Sequence, residues 1–455
     1  MIHRPCRKDL TIALRSICFI LAIHFTTPSN AQTLQRPVLC GNEVFTDILH
    51  SRYPALHDAF DQTFHLASRA SVQRGNDPLT IPVVVHVVWK EGSENLHDSI
   101  ILNQIEILNQ DFNRLNPDTG NLRPLFSPVA ASANIHFELA SIVRVQSDQL
   151  FSVELLGTNL LPEVKHNALG GSDAWNTEQY LNIWICNIQP IEIFGLVIGQ
   201  ILGFSFPPNN LPNWPENVGA PQPDEDGVVV DYRVIGSNNP NGLENPVDMS
   251  PLVVKGRTPV HEVGHYLGLR HIWGDGGLLG PNDCAQSDGI EDTPFANAES
   301  HFDCDTSKNT CEQLEPFYNS DMPDLIENYM DYASEECMNM FTQGQVDLMR
   351  NVILGPRIGL IEGPLSTKSQ NAHPECNVYP NPATDHVVCR IEHAADTHIA
   401  LRLLNLGGQV LMQKEEFLST DDQEIELSTA GMAPGLYIVQ VASGQNMLWD
   451  KMVIR

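Results

Sequence analysis

The residues of this chain whose types and spacing most clearly specify chemistry are His261-Glu-Val-Gly-His-Tyr-Leu-Gly-Leu-Arg-His271, followed by Ile-Trp-Gly-Asp275. On a helix, His261 and His265 lie one turn apart and share a face. Two imidazoles on one face supply two corners of a tetrahedral zinc site. Glu262 stands beside them and can take a proton from a water at the metal. Gly268 can adopt the positive φ that ends a helix and turns the chain, which brings in His271 as the third ligand. The fourth corner is left for water, the mark of a catalytic rather than a structural zinc. Five fixed residues at these spacings arise by chance in fewer than roughly one in 10,000 chains of this length, which argues against a helix with incidental histidines. A rival arrangement takes its third ligand from a downstream carboxylate such as Glu291, but it has no use for Gly268 and His271.

Such a helix needs a scaffold, and the sequence supplies one. Ile81 to Trp89 is a continuous β-branched run and reads as a buried strand. In Ser99 to Leu115, residues Ile100, Ile101, Ile105, Leu108 and Phe112 recur at helical spacing. Asn134 to Ala140, Tyr180 to Ile188 and Val228 to Val234 read as further strands, and Thr342 to Ile353 as a closing helix. This order predicts an α+β domain with a twisted sheet over the active-site helix. Phe204 to Asp226 is rich in Pro, Asn and Gly and reads as a loop able to shape a cleft. After Gly355 the composition turns to a polar linker over 356–374, and short strands between turn residues over 375–455 predict an all-β sandwich.

The chain has 455 residues and a formal net charge of −30. That charge repels nucleic acid and anionic lipid and suits a soluble exported protein, with calcium as a further tenant. Residues 1–31 carry Arg4, Arg7, Lys8 and Arg15, then a short apolar run from Ile17 to Phe25 and the small-residue site Ser29-Asn30-Ala31, the pattern of a signal peptide. No stretch is long and apolar enough to span a bilayer. Of the ten cysteines, Cys284, Cys304, Cys311 and Cys337 cluster just after the histidines. In an exported protein an even cluster reads as two disulfides, with free buried thiols as the alternative.

These motifs resemble a known family. The long histidine motif with Met330 in Asn328-Tyr-Met-Asp-Tyr332 is similar to the metzincin metalloproteases. Gly256-Arg-Thr258, His271-Ile-Trp-Gly-Asp275 and Asp292-Thr-Pro294 narrow the resemblance to the pappalysins, on their ulilysin-like branch, over about residues 79–355. The resemblance implies a zinc endopeptidase with His261, His265 and His271 as ligands, Glu262 as general base and acid, Met330 as the floor and Tyr332 as the oxyanion donor. It implies the bridges Cys284–Cys311 and Cys304–Cys337, and calcium ligands at Asp288 and Thr293. It places Glu336 in the pocket for the residue after the scissile bond, where an acid favours Arg or Lys.

The same branch resembles a zymogen held latent by a Cys-Gly segment, which implies Cys40 at the open zinc position within a propeptide over 32–78. A disulfide to Cys186 and an idle thiol are the alternatives. Arg69 or Arg74 would then be the activation site. The tail, with Val378-Tyr-Pro-Asn-Pro-Ala-Thr-Asp385 and Gly431-Met-Ala-Pro-Gly-Leu-Tyr437, is similar to type IX secretion sorting domains. That implies export through the periplasm of a Gram-negative bacterium to the surface or medium, with the secretion machinery as partner. Rival functions are a surface binding protein that keeps a protease fold and a zinc amidase acting on peptide-like bonds. An intact Glu262 and three histidines count against the first.

Overall fold

The computed structural model describes residues 38–41, 77–153, 161–193, 196–208, 220–244, 250–274, 284, 287–362, 375–392, 397–405, 409–418, 422–443 and 446–455. The signal-like residues, the helical-looking stretch 43–70, Arg69, Arg74 and Asp275 lie outside them.

A seven-stranded mixed sheet forms the scaffold. Its main path uses β1 (Val38–Cys40), β2 (Leu79–Trp89), β3 (Ile135–Gln146), β4 (Leu181–Cys186), β5 (Leu196–Ser205) and β6 (Val228–Asp231), in the spatial order β1-β5-β6-β4-β2-β3. The short strand Ile191–Ile193 pairs with β5 off this path. β2 is central because Val83, Val84, Val85, Val87 and Val88 are all buried, and a strand covered on both faces reads as an unbroken apolar run. It pairs parallel with both β3 and β4, and β6 continues parallel beyond β4. β5 runs antiparallel to β6, and β1 lies parallel on the outer edge of β5.

Helix α1 (Asp98–Phe112) turns Ile100, Ile101, Ile105, Leu108 and Phe112 inward. Helix α2 (Arg257–Tyr266) carries the first two histidines, and α3 (Gln343–Ile353) starts from a capping box between Thr342 and Gln345. One apolar cluster joins residues from Cys40 to Leu360. The fold therefore runs past Gly355, into residues that composition assigns to a linker. Arg357 is buried, donates to both oxygens of Asp226 at 2.6 and 3.1 Å and to the Tyr266 carbonyl at 2.9 Å, and stacks over the Tyr266 ring.

One loop and one strand prediction need adjustment. The Leu196–Ser205 strand overlaps the start of the expected loop, and Val228 to Val234 is a strand only to Asp231, followed by a 3-10 turn. In the tail, a three-stranded and a four-stranded antiparallel sheet share one core that includes Val387, Cys389, Leu401, Leu403, Val439 and Met452. Among the described residues no helix is long and apolar enough to cross a membrane.

Candidate active site and metal centre

Helix α2 places His261 and His265 one turn apart, and Gly268 at φ 95° turns the chain so that His271 folds back on them. The three Nε2 atoms stand 3.0, 3.1 and 3.2 Å from one another. His261 Nδ1 donates to the Tyr329 carbonyl at 2.7 Å, and His265 Nδ1 donates to the Leu269 carbonyl at 2.8 Å. With the proton on Nδ1, each of these rings turns an Nε2 lone pair to the same point. Burial holds all three imidazoles neutral: it lowers His261 to about 4 and the other two well below their ordinary value. Buried lone pairs that converge on one another repel unless a cation lies between them. The donor set therefore fits a metal ion, and neutral imidazole nitrogen at this geometry suits zinc.

Cys40 faces the same point. Its Sγ and the three histidine nitrogens all lie within 4.8 Å of one another, the one such donor group among the described residues. The thiol also donates to Glu262 Oε1 at 3.2 Å, and the Cys40 N–H donates to the Tyr332 hydroxyl at 3.0 Å. One residue of β1 thus touches the metal corner, the carboxylate and the tyrosine together. It is carried there by main-chain pairing with β5, where Cys40 stands opposite Gly203 after a register shift. Glu262 is buried, and burial raises its carboxyl to about 8, partly offset by the Cys40 thiol.

Met330 lies under the helix. A Cβ on Gly264 would sit 2.5 Å from its sulfur, so glycine in the motif is what admits the methionine. The Met330 turn is fixed by Asn328, which accepts from the Met330 N–H at 2.9 Å and exchanges two side-chain bonds with Gln345. Trp273 stacks on His271 with 4.4 Å between ring centres, and Tyr332 packs its ring 5.0 Å from His271. Cys284–Cys311 and Cys304–Cys337 form the two bridges.

Other expected residues fall elsewhere. Glu336 is exposed and does not line the cleft; the turn swings it outward and presents Glu335 instead. Asp288 and Thr293 meet each other, with the threonine hydroxyl donating to Asp288 Oδ1 at 2.7 Å, but they join no group of three metal-type donors among the described residues. The sequence reading missed Gly203, whose Cβ would fall 2.8 Å from Glu262 Cγ, and Gly264. A lone glycine in an apolar strand run is the available signal for the first.

A family model described as pregnancy-associated plasma protein-A, peptidase M43, matches residues 250–354, and one described as a secretion system C-terminal sorting domain matches 377–455. An extracellular metalloprotease of Arthroderma benhamiae is 27% identical over 277 residues, 60% of this chain and 71% of that one. Extracellular metalloprotease 1 of Coccidioides posadasii is 26% identical over 64% of this chain and 83% of its own length. A promirolysin mutant of Tannerella forsythia superposes with TM-score 0.54 at 31% identity, over 71% of this chain and 97% of that one. A likeness that spans nearly all of promirolysin, a family match over the histidine motif and a sorting-domain match over the tail together make this chain a member of the pappalysin family of metalloproteases, fitted with a secretion sorting domain.

Proposed function

We propose that this protein is a secreted zinc endopeptidase made as a latent zymogen, with Cys40 as its lock. The observation that carries the reading is the convergence of three histidine Nε2 atoms and the Cys40 thiol on one point, with Glu262 and Tyr332 in contact with Cys40. His261, His265 and His271 would hold the ion. Zinc bound there supplies Lewis acidity, which polarises a carbonyl and makes water a stronger acid.

The chain's own residues do the rest. Glu262 takes the proton from the attacking water and hands it to the leaving amine. Tyr332 donates a hydrogen bond from its hydroxyl to the oxyanion of the tetrahedral intermediate. In the latent state each of these groups is occupied by Cys40. The strand pairing of β1 with β5 delivers the thiol, so release requires that the segment leave the sheet edge.

The finer preference for Arg or Lys after the scissile bond is supported by Asp331 rather than Glu336. Asp331 lines the cleft, where an acid favours a cationic side chain. Aliphatic walls that include Leu202, Leu243 and Leu252 suit the stem of such a side chain. The basic, apolar N-terminal stretch and the sorting domain support export through a Gram-negative periplasm. The metal proposed is zinc, which three neutral buried imidazoles suit.

The test uses the full-length chain loaded with zinc and a peptide library varied at the position after the cleavage point. Glu262→Ala keeps its zinc and loses on the order of 10²–10⁴-fold in turnover. Cys40→Ala acts sooner than the unaltered precursor, and Arg and Lys peptides outrun norleucine peptides. Undiminished turnover by Glu262→Ala would falsify the peptidase assignment. Equal onset of activity with and without Cys40 would remove the lock, and a flat library profile the basic preference.

A further inference from the structure

We propose that Glu335 is a positioning residue: its carboxylate, seated on the N-terminus of α2, holds the Tyr332 turn and the histidine–glutamate helix in working register. The proposal rests on the zinc-peptidase reading above. Helix α2 begins without a side-chain cap, because its N-cap residue is Gly256 at φ 77°. The first N–H groups of any helix lack partners inside it. Glu335 supplies the missing acceptors from a distant part of the chain. Its Oε1 accepts the Thr258 N–H at 2.7 Å and the Thr258 hydroxyl at 2.8 Å, and its Oε2 accepts the Lys255 N–H. In return, Arg257 Nη1 donates to the Glu335 carbonyl at 2.7 Å. A carboxylate in this place also meets the positive end of the helix dipole.

The other end of the link is the segment that carries Tyr332. Residues 331–337 are tied to 300–304 at four points. The Ser300 N–H donates to Asp331 Oδ1 at 3.1 Å, the Phe302 N–H to the Tyr332 carbonyl at 2.7 Å and the Ser334 N–H to the Asp303 carbonyl at 3.0 Å; Cys304–Cys337 closes the set. So tied, the segment behaves as one piece. It meets α2 through Glu335, and Tyr329, two residues before it, accepts from His261 Nδ1. One contact fixes a distance, and the second fixes an orientation. Glu335 therefore sets how the Tyr332 hydroxyl faces the space between Glu262 and the histidines.

Glu335 also lines the cleft, so it competes with the idea of a substrate-binding acid. Its two oxygens already face three donors of the helix start. A substrate cation entering the cleft finds that carboxylate taken. The two roles separate in kinetics: a misaligned oxyanion donor lowers kcat, whereas a lost substrate contact raises KM.

The experiment compares wild type, Glu335→Gln, Glu335→Ala and Thr258→Ala in the full-length chain, matured by one protocol. Steady-state rates on Arg and norleucine peptides are read beside zinc content and Tm. Glu335→Gln keeps an oxygen for Thr258 but turns an amide N–H₂ towards the Lys255 N–H. For Glu335→Ala the expected result is a kcat lower by on the order of 100-fold, and for Glu335→Gln by roughly 10-fold, with KM for both peptides near wild type. Zinc content stays at the wild-type level. Thr258→Ala retains its N–H and loses only a few-fold. A KM rise confined to Arg peptides, with kcat intact, overturns the proposal in favour of substrate contact. A lower Tm with kcat and KM unchanged overturns it in favour of a purely structural cap. If Glu335→Ala does not fold, Glu335→Gln decides on the same terms. Wild-type activity that survives chelation would instead strike the zinc-peptidase reading, whatever the variants do.

Discussion

Among the described residues histidines are buried in two polar clusters, and the difference between them shows what makes a metal site. His86, on central strand β2, has Nδ1 at 2.8 Å from the Ser172 hydroxyl and Nε2 at 3.0 Å from Asn182 Oδ1, and its ring stacks on Trp184. Burial lowers it to about 4, as it does His261. Neither depth nor proton affinity distinguishes His86 from His261. The partner count does. Each nitrogen of His86 has its own neutral partner, so the cluster is complete. At the other site the Nε2 atoms of His261, His265 and His271 have chiefly one another, which is satisfactory only around a cation. Ser172 and His86 even hold the spacing of a nucleophile and its base. Ser172 is 2% exposed, however, so no substrate reaches it.

The sharpest way to break this comparison is to remove one histidine from each cluster. His265→Ala is expected to weaken zinc binding by more than roughly 100-fold and to abolish peptidase activity. His86→Ala is expected to keep its zinc and its site while losing about 2–4 kcal/mol of stability, from the cavity and from the lost bonds to the Ser172 hydroxyl and Asn182 Oδ1. Metal analysis and thermal unfolding with and without chelator separate them. Chelation should lower the Tm of wild type and of His86→Ala alike, and leave His265→Ala unmoved. Zinc lost from the His86 variant, or kept by the His265 variant, means that partner counting fails here.

The sequence exposes the first cluster and hides much of what surrounds it. The histidine spacing is a local fact of one helix and one turn, so it is legible, as are β2 and α1 from their apolar periods. Strand β5 was not legible. Gly199 and Gly203 break its pattern, and the reason for Gly203 is a close approach to Glu262, more than fifty positions away in sequence. Glu335 and Glu336 are adjacent acids, and only the path of the turn decides which one faces the cleft. Arg357 looked like linker because a buried ion pair with Asp226 leaves no period in a sequence. The Cys40-Gly pair was visible, but its contacts with Tyr332 and Glu262 span 292 and 222 residues. Only the sheet edge brings them together.

Gly203 offers a smaller and more local test of the same contrast, since the proposed catalytic cluster tolerates less crowding than a closed structural one. Its backbone is open to alanine, but the new Cβ would lie 2.8 Å from Glu262 Cγ and 3.0 Å from Oε1. The carboxylate must yield, because the strand cannot. We expect Gly203→Ala to retain zinc and to lose on the order of 10–100-fold in kcat, the scale of a small misplacement at a reacting group. Unchanged kcat means that the carboxylate has slack, and that the tight approach of β5 does not position it.

The smallest effect on activity is expected in the region of His86. Lys165 is fully buried beside the same Trp184, 5.3 Å from its ring centre and 4.2 Å from that of Phe206, and it donates to the Glu225 carbonyl at 2.6 Å. Burial lowers its ammonium from 10.5 to about 7, with Glu225 and Asp226 opposing the shift. The sign follows from linkage. Between pH 7 and 10.5 the unfolded chain binds this proton and the folded chain does not, so stability rises with pH across that window. Below it the cost of burying the charge is present in full; above it the cost vanishes. Lys165→Met should therefore leave peptidase rates unchanged and flatten the rise, by up to about 1.4 kcal/mol per pH unit. Urea unfolding at several pH values in the window reads the difference between the two proteins. Parallel curves mean that the ring faces and the Glu225 carbonyl hold the ammonium charged, and that this cluster, like the metal site, is built around a cation.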